Sequence, residues 1–151
     1  MEREGAHLPV LADEVTFLLR PRHGGWVVDG TIGMGGHAER LLDAGGAGTR
    51  LLGIDHDPEA LARARERLRR FGDRVSLRHG SFRDLAAHAR EAGVERAAAI
   101  LLDLGLSSYQ LEDSGRGFTF QKDEPLDMRF DPTRGRTAGD LLADATEAEL
   151  A

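Results

Sequence analysis

Residues 26–37 read WVVDGTIGMGGH, in which a short apolar run ends at an acid and leads into four glycines. The apolar run predicts a strand, and the apolar residues that recur at helical spacing after Gly36 predict a helix over 37–44. Because glycine has no side chain, a loop rich in it can turn tightly and bring its backbone close to a ligand. A strand, a glycine loop and a helix in this order predict the start of a Rossmann-like sheet with its ligand-binding loop.

Strands and helices alternate as far as residue 102. Further strands are predicted at 51–54, 74–78 and 97–102, and further helices at 58–71 and 82–92, the last with Leu85, Ala86 and Ala89 facing inward. The run 97–102 is apolar throughout, which is typical of a parallel strand that is covered on both faces. Short connections between these elements predict an α/β fold with a doubly wound parallel sheet.

The composition indicates a globular protein and argues against several kinds of site. The 151 residues are 40% hydrophobic, which is enough for a packed domain. The absence of cysteine excludes disulfides and thiolate zinc sites, and the six histidines show no spacing that predicts a metal site. The longest apolar run is far shorter than the roughly 20 residues of a membrane span. The acidic start MEREGAH is also unlike a secretory leader. We therefore expect a cytoplasmic protein that binds neither metal nor membrane.

The charge distribution gives mixed indications about nucleic acid. The formal net charge is -6, which is unfavourable for binding a polyanion. However, four arginines fall in one stretch, namely Arg116, Arg129, Arg134 and Arg136. Arginine suits phosphate and base contacts, but the stretch can equally reflect a general preference for arginine over lysine. Both interpretations stay open at this point.

Three carboxylates are predicted to meet at one edge of the sheet. Asp29, Asp55 and Asp103 follow three predicted strands, and the carboxyl ends of parallel strands border the ligand crevice. Asp55 is placed to accept hydrogen bonds from ribose hydroxyls. The glycine spacing, G-x-x-G-x-G-G, differs from the G-x-G-x-x-G of dinucleotide sites, and Asp29 suits a cationic ligand better than a pyrophosphate. The residues favour S-adenosylmethionine, with an NAD-dependent oxidoreductase or a turn without ligand as the alternatives.

Six blocks of sequence carry a resemblance to a known family. They are HLPVL at 7–11, DGTIGMGGH at 29–37, GIDHDPEAL at 53–61, LLDLGLSSYQLED at 101–113, RGFTF at 116–120 and PLDMRFD at 125–131. Together they resemble the RsmH (MraW) family of methyltransferases, which modify N4 of a cytosine in small-subunit (16S) ribosomal RNA. Phe130 stands where the family commonly has a methionine, which is a mild departure.

The resemblance implies a cofactor site and a catalytic residue. It implies that S-adenosylmethionine is contacted by Gly35, Gly36, His37, Asp55, Phe82, Asp103 and Gln110. Asp55 would hold the ribose and Phe82 would lie near the adenine, while Asp103 and Gln110 would border the methyl and methionine end. Asp103 is also the candidate acceptor for the amine proton. Tyr109 either stacks on the base or packs inside the protein.

The resemblance also implies that the chain is the N-terminal part of a longer enzyme. Family members are nearly twice this length, with a helical insertion after the RGFTF block. We expect 1–112 to form the cofactor-binding half and 113–151 an irregular segment that begins the insertion, with helices capped by Thr137 and Thr146. The implied partner is small-subunit ribosomal RNA, in the assembled subunit, whereas the oligomeric state stays open. The 151 residues alone can be an inactive cofactor-binding fragment.

Overall fold

A computed structural model describes residues 9–21 and 24–150 of the chain. The chain divides into two compact units, Met1–Leu104 and Gly105–Ala151. The sequence prediction divides the chain at 112/113 instead, so that one short helix assigned to the cofactor-binding half lies in the second unit. His7 and Leu8 of the first family block lie outside the described residues.

The first unit alternates strands and helices as predicted. Its elements are α1 (Ala12–Leu19), β1 (Gly25–Asp29), α2 (Gly36–Gly45), β2 (Thr49–Asp55), α3 (Pro58–Leu68), β3 (Val75–His79), α4 (Leu85–Glu91) and β4 (Ala97–Leu101). A short 3-10 helix, Arg69–Arg74, directly follows α3, and another, Phe82–Asp84, directly precedes α4. The four strands are parallel, in the order β3-β2-β1-β4. The predicted doubly wound α/β sheet is confirmed, and α1 was not predicted.

Alternate residues of the central strands build a core on each face of the sheet. Val27 packs on one side with residues of α2 and α3, including Leu41 and Leu68. Val28 packs on the other side with Leu52, Ile54 and partly buried residues of α4. Because neighbouring side chains of a strand point to opposite faces, this double burial explains the unbroken apolar runs. The sheet therefore holds the end of β1 rigidly between β2 and β4.

Two details of the sequence prediction are wrong. β4 is an edge strand of the described sheet, and Ile100 is 51% exposed, so the described residues do not cover both of its faces. Ala86 is exposed rather than inward, although Leu85 and Ala89 pack against the core. Adjacent residues of an α-helix lie about 100° apart around its axis, so Ala86 points to the side when Leu85 and Ala89 face the core.

Within its described residues, 105–150, the second unit has three short helices and a long irregular segment between the first two. They are α5 (Ser108–Glu112), α6 (Ala138–Asp144) and α7 (Glu147–Leu150). The predicted cap at Thr137 is confirmed, because its hydroxyl accepts from Asp140 N at 3.0 Å and Asp140 Oδ2 accepts from Thr137 N at 3.0 Å. Thr146 N similarly donates to Glu149 Oε2 at 2.9 Å. No helix among the described residues is long and apolar enough to span a membrane.

Candidate functional site

The glycine loop connects β1 to α2 and is held against β2 and α3. Gly35 adopts the left-handed conformation (φ 81°) that caps α2, and Gly36 is the first residue of that helix. A Cβ atom on Gly35 would lie 3.3 Å from Leu68 Cδ1, so the loop backbone sits close to α3. Ile32 N donates to Ile54 O at 3.0 Å, which joins the loop to β2. The loop backbone is therefore packed against β2 and α3 at the carboxyl end of the sheet.

Asp55 ends β2 and ties two loops together through its side chain. Oδ2 accepts a 2.8 Å hydrogen bond from Gly33 N in the glycine loop, and Oδ1 accepts a 2.9 Å bond from Asp57 N at the start of α3. Burial raises the pKa of Asp55, and the two backbone bonds oppose that rise. A carboxylate has about four acceptor positions, so both oxygens retain capacity for ligand hydroxyls.

Asp29 ends β1 and is only 1% exposed. Its Oδ1 accepts from Thr31 N at 3.1 Å and lies 3.5 Å from Thr31 Oγ1. Burial raises the pKa of Asp29 to about 7, and the charges of Asp55 and Asp103 add to the rise. The carboxyl group is thus partly protonated near neutral pH, which reduces the repulsion among the three acids at this edge.

Asp103 follows β4 and is held from two directions. Its backbone N donates a 2.7 Å hydrogen bond to Thr31 Oγ1, and its Oδ2 lies 3.5 Å from His37 Nε2. The His37 side chain is 10% exposed, whereas that of Asp103 is 56% exposed. Burial lowers the pKa of His37, with Asp103 opposing the effect. The predicted residues His37 and Asp103 are therefore in contact, and the Asp103 carboxylate remains accessible from solvent.

Thr31 is a residue that sequence reasoning did not assign. It lies between the acid and the glycines of the DGTIGMGGH block, and its hydroxyl links the ends of β1 and β4 through Asp29 and Asp103. A hydroxyl inside a glycine loop was the available signal. Its partner is distant in the sequence, so the link could not be read from local patterns.

Phe82 and Gln110 occupy different units. Phe82 begins the 3-10 turn after β3, and a Cβ on Gly30 would lie 3.1 Å from Phe82 Cβ, so Phe82 borders the start of the glycine loop. Gln110 lies on α5 in the second unit and is 5% exposed. Its Oε1 accepts from Ser107 N at 2.9 Å, and its N donates to Ser107 Oγ at 3.2 Å, which is a helix capping box. Tyr109 is also buried, which favours its packed interpretation.

The arginine stretch of the second unit makes contacts within that unit. Arg116 is buried, and its Nη1 donates to Arg129 O at 3.1 Å and to Phe130 O at 3.0 Å. Arg129 in turn forms a two-pronged pair with Asp127, with Nε–Oδ1 at 2.9 Å and Nη2–Oδ2 at 2.6 Å. These contacts favour a structural role over a phosphate-binding one.

The other two arginines of the stretch follow the same pattern. Arg134 Nε lies 3.6 Å from Asp131 Oδ2, and Arg136 pairs with Asp144 and donates to Asp140 O at 2.5 Å. Each guanidinium therefore has an acidic side chain or carbonyl beside it. Among residues 9–21 and 24–150, no group of three or more histidine or acidic side chains is arranged to hold a metal ion.

Comparisons with known protein sequences agree with the resemblance. The sequence profile of the MraW methylase family matches residues 4–151. "Ribosomal RNA small subunit methyltransferase H" from Trichlorobacter lovleyi is 51% identical over 144 residues, which cover 95% of this chain and 46% of the relative. The protein of the same name from Beutenbergia cavernae is 50% identical over 147 residues, which cover 95% of this chain and 44% of that relative. The chain thus spans slightly less than half the length of these curated relatives.

Solved structures share the fold. An rRNA methylase from Streptococcus thermophilus aligns with a TM-score of 0.51 and 23% identity, over 66% of this chain and 58% of its own. NSun6 from Pyrococcus horikoshii with SFG aligns with a TM-score of 0.52 and 19% identity, over 89% of this chain and 29% of its own. At such identities the likeness supports a Rossmann-like fold and carries no residue roles.

Proposed function

Since the chain belongs to the MraW methylase family, we propose that it forms the S-adenosylmethionine-binding part of an enzyme that methylates N4 of a cytosine in small-subunit (16S) ribosomal RNA. The observation that carries the proposal is the position of Asp103. Its carboxylate is 56% exposed at the carboxyl end of β4, and it is fixed to the glycine loop by Thr31 and His37. A substrate amine at this edge of the sheet can reach it.

The residues at this edge fit S-adenosylmethionine. Gly35 and Gly36, at the start of α2, would contact the methionine end through their backbone, and Asp55 retains acceptor capacity for the ribose hydroxyls. Phe82 borders the loop on the side assigned to adenine. The acids at the strand ends suit the positive charge of a sulfonium. When bound, S-adenosylmethionine supplies the activated methyl group. Gln110 stays a prediction from the resemblance.

Asp103 is assigned the proton transfer. The N4 lone pair of cytosine is delocalised into the ring, so the enzyme must orient the amine in line with the methyl carbon and accept its proton. The Asp103 carboxylate would take the N4 proton as the amine is methylated. Bound S-adenosylmethionine would supply the methyl group and would retain the electron pair of the carbon–sulfur bond, so charge and atoms would balance.

The RNA must be held mainly by residues beyond this chain. A base has to be unpaired or turned out of its helix to reach the strand ends. The arginines of the second unit are engaged within it, and the net charge of the chain is -6. The proposed partner is ribosomal RNA in the small subunit, which places the activity in the cytoplasm. The full-length protein, meaning this chain continued to the length of its curated relatives, is the active form, and residues 1–151 alone bind cofactor without turnover.

Two measurements test the proposal. Calorimetry should show binding of S-adenosylmethionine and S-adenosylhomocysteine and no binding of NAD, which separates a methyltransferase from the oxidoreductase alternative. The full-length protein should transfer a labelled methyl group from S-adenosylmethionine to RNA of the small ribosomal subunit. Preferential binding of NAD, or no transfer to ribosomal RNA by a folded full-length protein, would contradict the proposal.

A further inference from the structure

Asp103 is constrained at its backbone and at its side chain by different residues. Thr31 accepts from its backbone N at 2.7 Å, which fixes where the chain leaves β4. His37 contacts its carboxylate at 3.5 Å through Nε2. A half-exposed aspartate at the end of a strand would otherwise exchange among several side-chain orientations. The two contacts together limit the positions open to the carboxylate.

We propose that His37 is a positioning residue for methyl transfer, and that its imidazole holds the Asp103 carboxylate in the orientation that accepts the N4 proton. This inference rests on the proposed function. It assigns to the His37 side chain a role that acts through Asp103, in addition to the cofactor contact that the resemblance implies.

The charge state of His37 suits this role. Burial lowers its pKa, and the charged groups that act on it are Asp103 after β4 and Arg40 on its own helix. The positive charge of Arg40 disfavours protonation of His37, whereas the negative charge of Asp103 favours it. A neutral imidazole can donate a hydrogen bond from Nε2–H to the Asp103 carboxylate, and the carboxylate is then not paired with a full positive charge. Asp103 is thereby oriented while it remains a proton acceptor.

The backbone and the imidazole of His37 lie next to different parts of the site. The residue lies in the first turn of α2, so its backbone directly follows the glycine loop at Gly35 and Gly36. Its imidazole reaches the end of β4 instead. A side-chain substitution therefore removes the contact to Asp103 and leaves the loop backbone in place.

The test compares variants of the full-length protein. His37→Ala should lower kcat for methylation of small-subunit RNA by about 10²-fold, the scale expected when a reacting group is misplaced by about 1 Å. The affinity for S-adenosylhomocysteine and the KM for RNA should change much less. His37→Gln, which keeps an N–H donor, should recover part of the loss. An unchanged kcat in His37→Ala, or a kcat loss matched by an equal loss of cofactor affinity, would overturn the inference.

A measurement without turnover covers the case in which His37→Ala fails to fold. In the full-length protein with S-adenosylhomocysteine bound, the imidazole of His37 is titrated by NMR in the wild type and in Asp103→Asn. Removing the carboxylate should lower the pKa of His37, because the imidazolium loses its favourable neighbour. Identical titrations would overturn the inference even if the wild type methylates ribosomal RNA. Absence of methylation by the wild type would instead refute the proposed function.

Discussion

The backbone N of Gly33 donates a 2.8 Å hydrogen bond to Oδ2 of Asp55, so the glycine loop after β1 is fastened to the end of β2. The same carboxylate accepts from Asp57 N, at the start of α3. One side chain thus organises the glycine loop, and the same side chain is the one proposed to hold the ribose of the cofactor.

Asp55→Ala should weaken binding of S-adenosylhomocysteine by about 1.5–3 kcal/mol, the scale of hydrogen bonds to a charged group. Calorimetry measures this directly, and thermal unfolding shows whether the loop still folds. Asp55→Asn is the matched control, since it keeps the shape and one acceptor oxygen and should lose less. Unchanged affinity in a folded Asp55→Ala variant would remove Asp55 from the site.

The buried carboxyl of Asp29 should make stability fall as the pH rises from about 4 to about 7. Its pKa is 3.8 in the unfolded chain and about 7 when folded, so the unfolded state loses the proton first and is favoured as the pH increases. Asp29→Asn removes the titration. Urea unfolding at about pH 5 and pH 8 measures the free energy of unfolding of both proteins. Relative to wild type, the variant should be more stable at pH 8 than at pH 5 by roughly 1 kcal/mol or more. An equal difference at both pH values would contradict the burial argument.

Residues 1–151 should bind isolated RNA only weakly. The net charge of -6 and the internal pairing of the arginines leave little attraction for phosphates. We expect affinities in the non-specific range of about 10⁻⁴–10⁻⁶ M known for protein–DNA contacts at physiological salt. A gel-shift titration that showed tight, sequence-selective binding would refute this.

Arg116→Ala should destabilise the second unit without weakening RNA binding. The guanidinium is buried and donates to the carbonyls of Arg129 and Phe130, so its loss leaves polar backbone groups unsatisfied, at a cost of about 1–3 kcal/mol. Faster proteolysis within residues 117–130, at unchanged RNA affinity, is the expected result. Arg134→Ala, at an exposed arginine, is the control. Reduced RNA affinity without loss of stability would restore the phosphate-binding interpretation.

Local sequence patterns predicted the elements around the site well. Asp57 caps α3 with Pro58 in its first turn, since Asp57 Oδ1 accepts from Glu59 N at 3.0 Å. Such caps depend only on near neighbours in the chain. Helix α5 is not predicted, although Ser107 and Gln110 of the LLDLGLSSYQLED block have the spacing of a capping box.

Features that depend on distant residues were not predictable in this way. The apolar run of β4 predicts a strand covered on both faces, but coverage depends on which elements neighbour the strand, and Ile100 is exposed. Likewise the bond from Asp103 N to Thr31 Oγ1 joins residues 72 positions apart. The sequence pattern predicts that the three acids and the glycine loop lie at one edge of the sheet. The contacts of Thr31 and His37 with Asp103 are seen only in the folded chain.

The central claim is that Asp103 accepts the proton during S-adenosylmethionine-dependent methylation of a cytosine amine. The most direct test is mass spectrometry of RNA nucleosides from small ribosomal subunits incubated with S-adenosylmethionine and one of three proteins. The full-length protein should produce N4-methylcytidine, whereas its Asp103→Ala variant and residues 1–151 alone should produce none, since orientation contributes roughly 7–11 kcal/mol to such reactions. Wild-type yields from the Asp103→Ala variant, or methylation by residues 1–151 alone, would contradict the account.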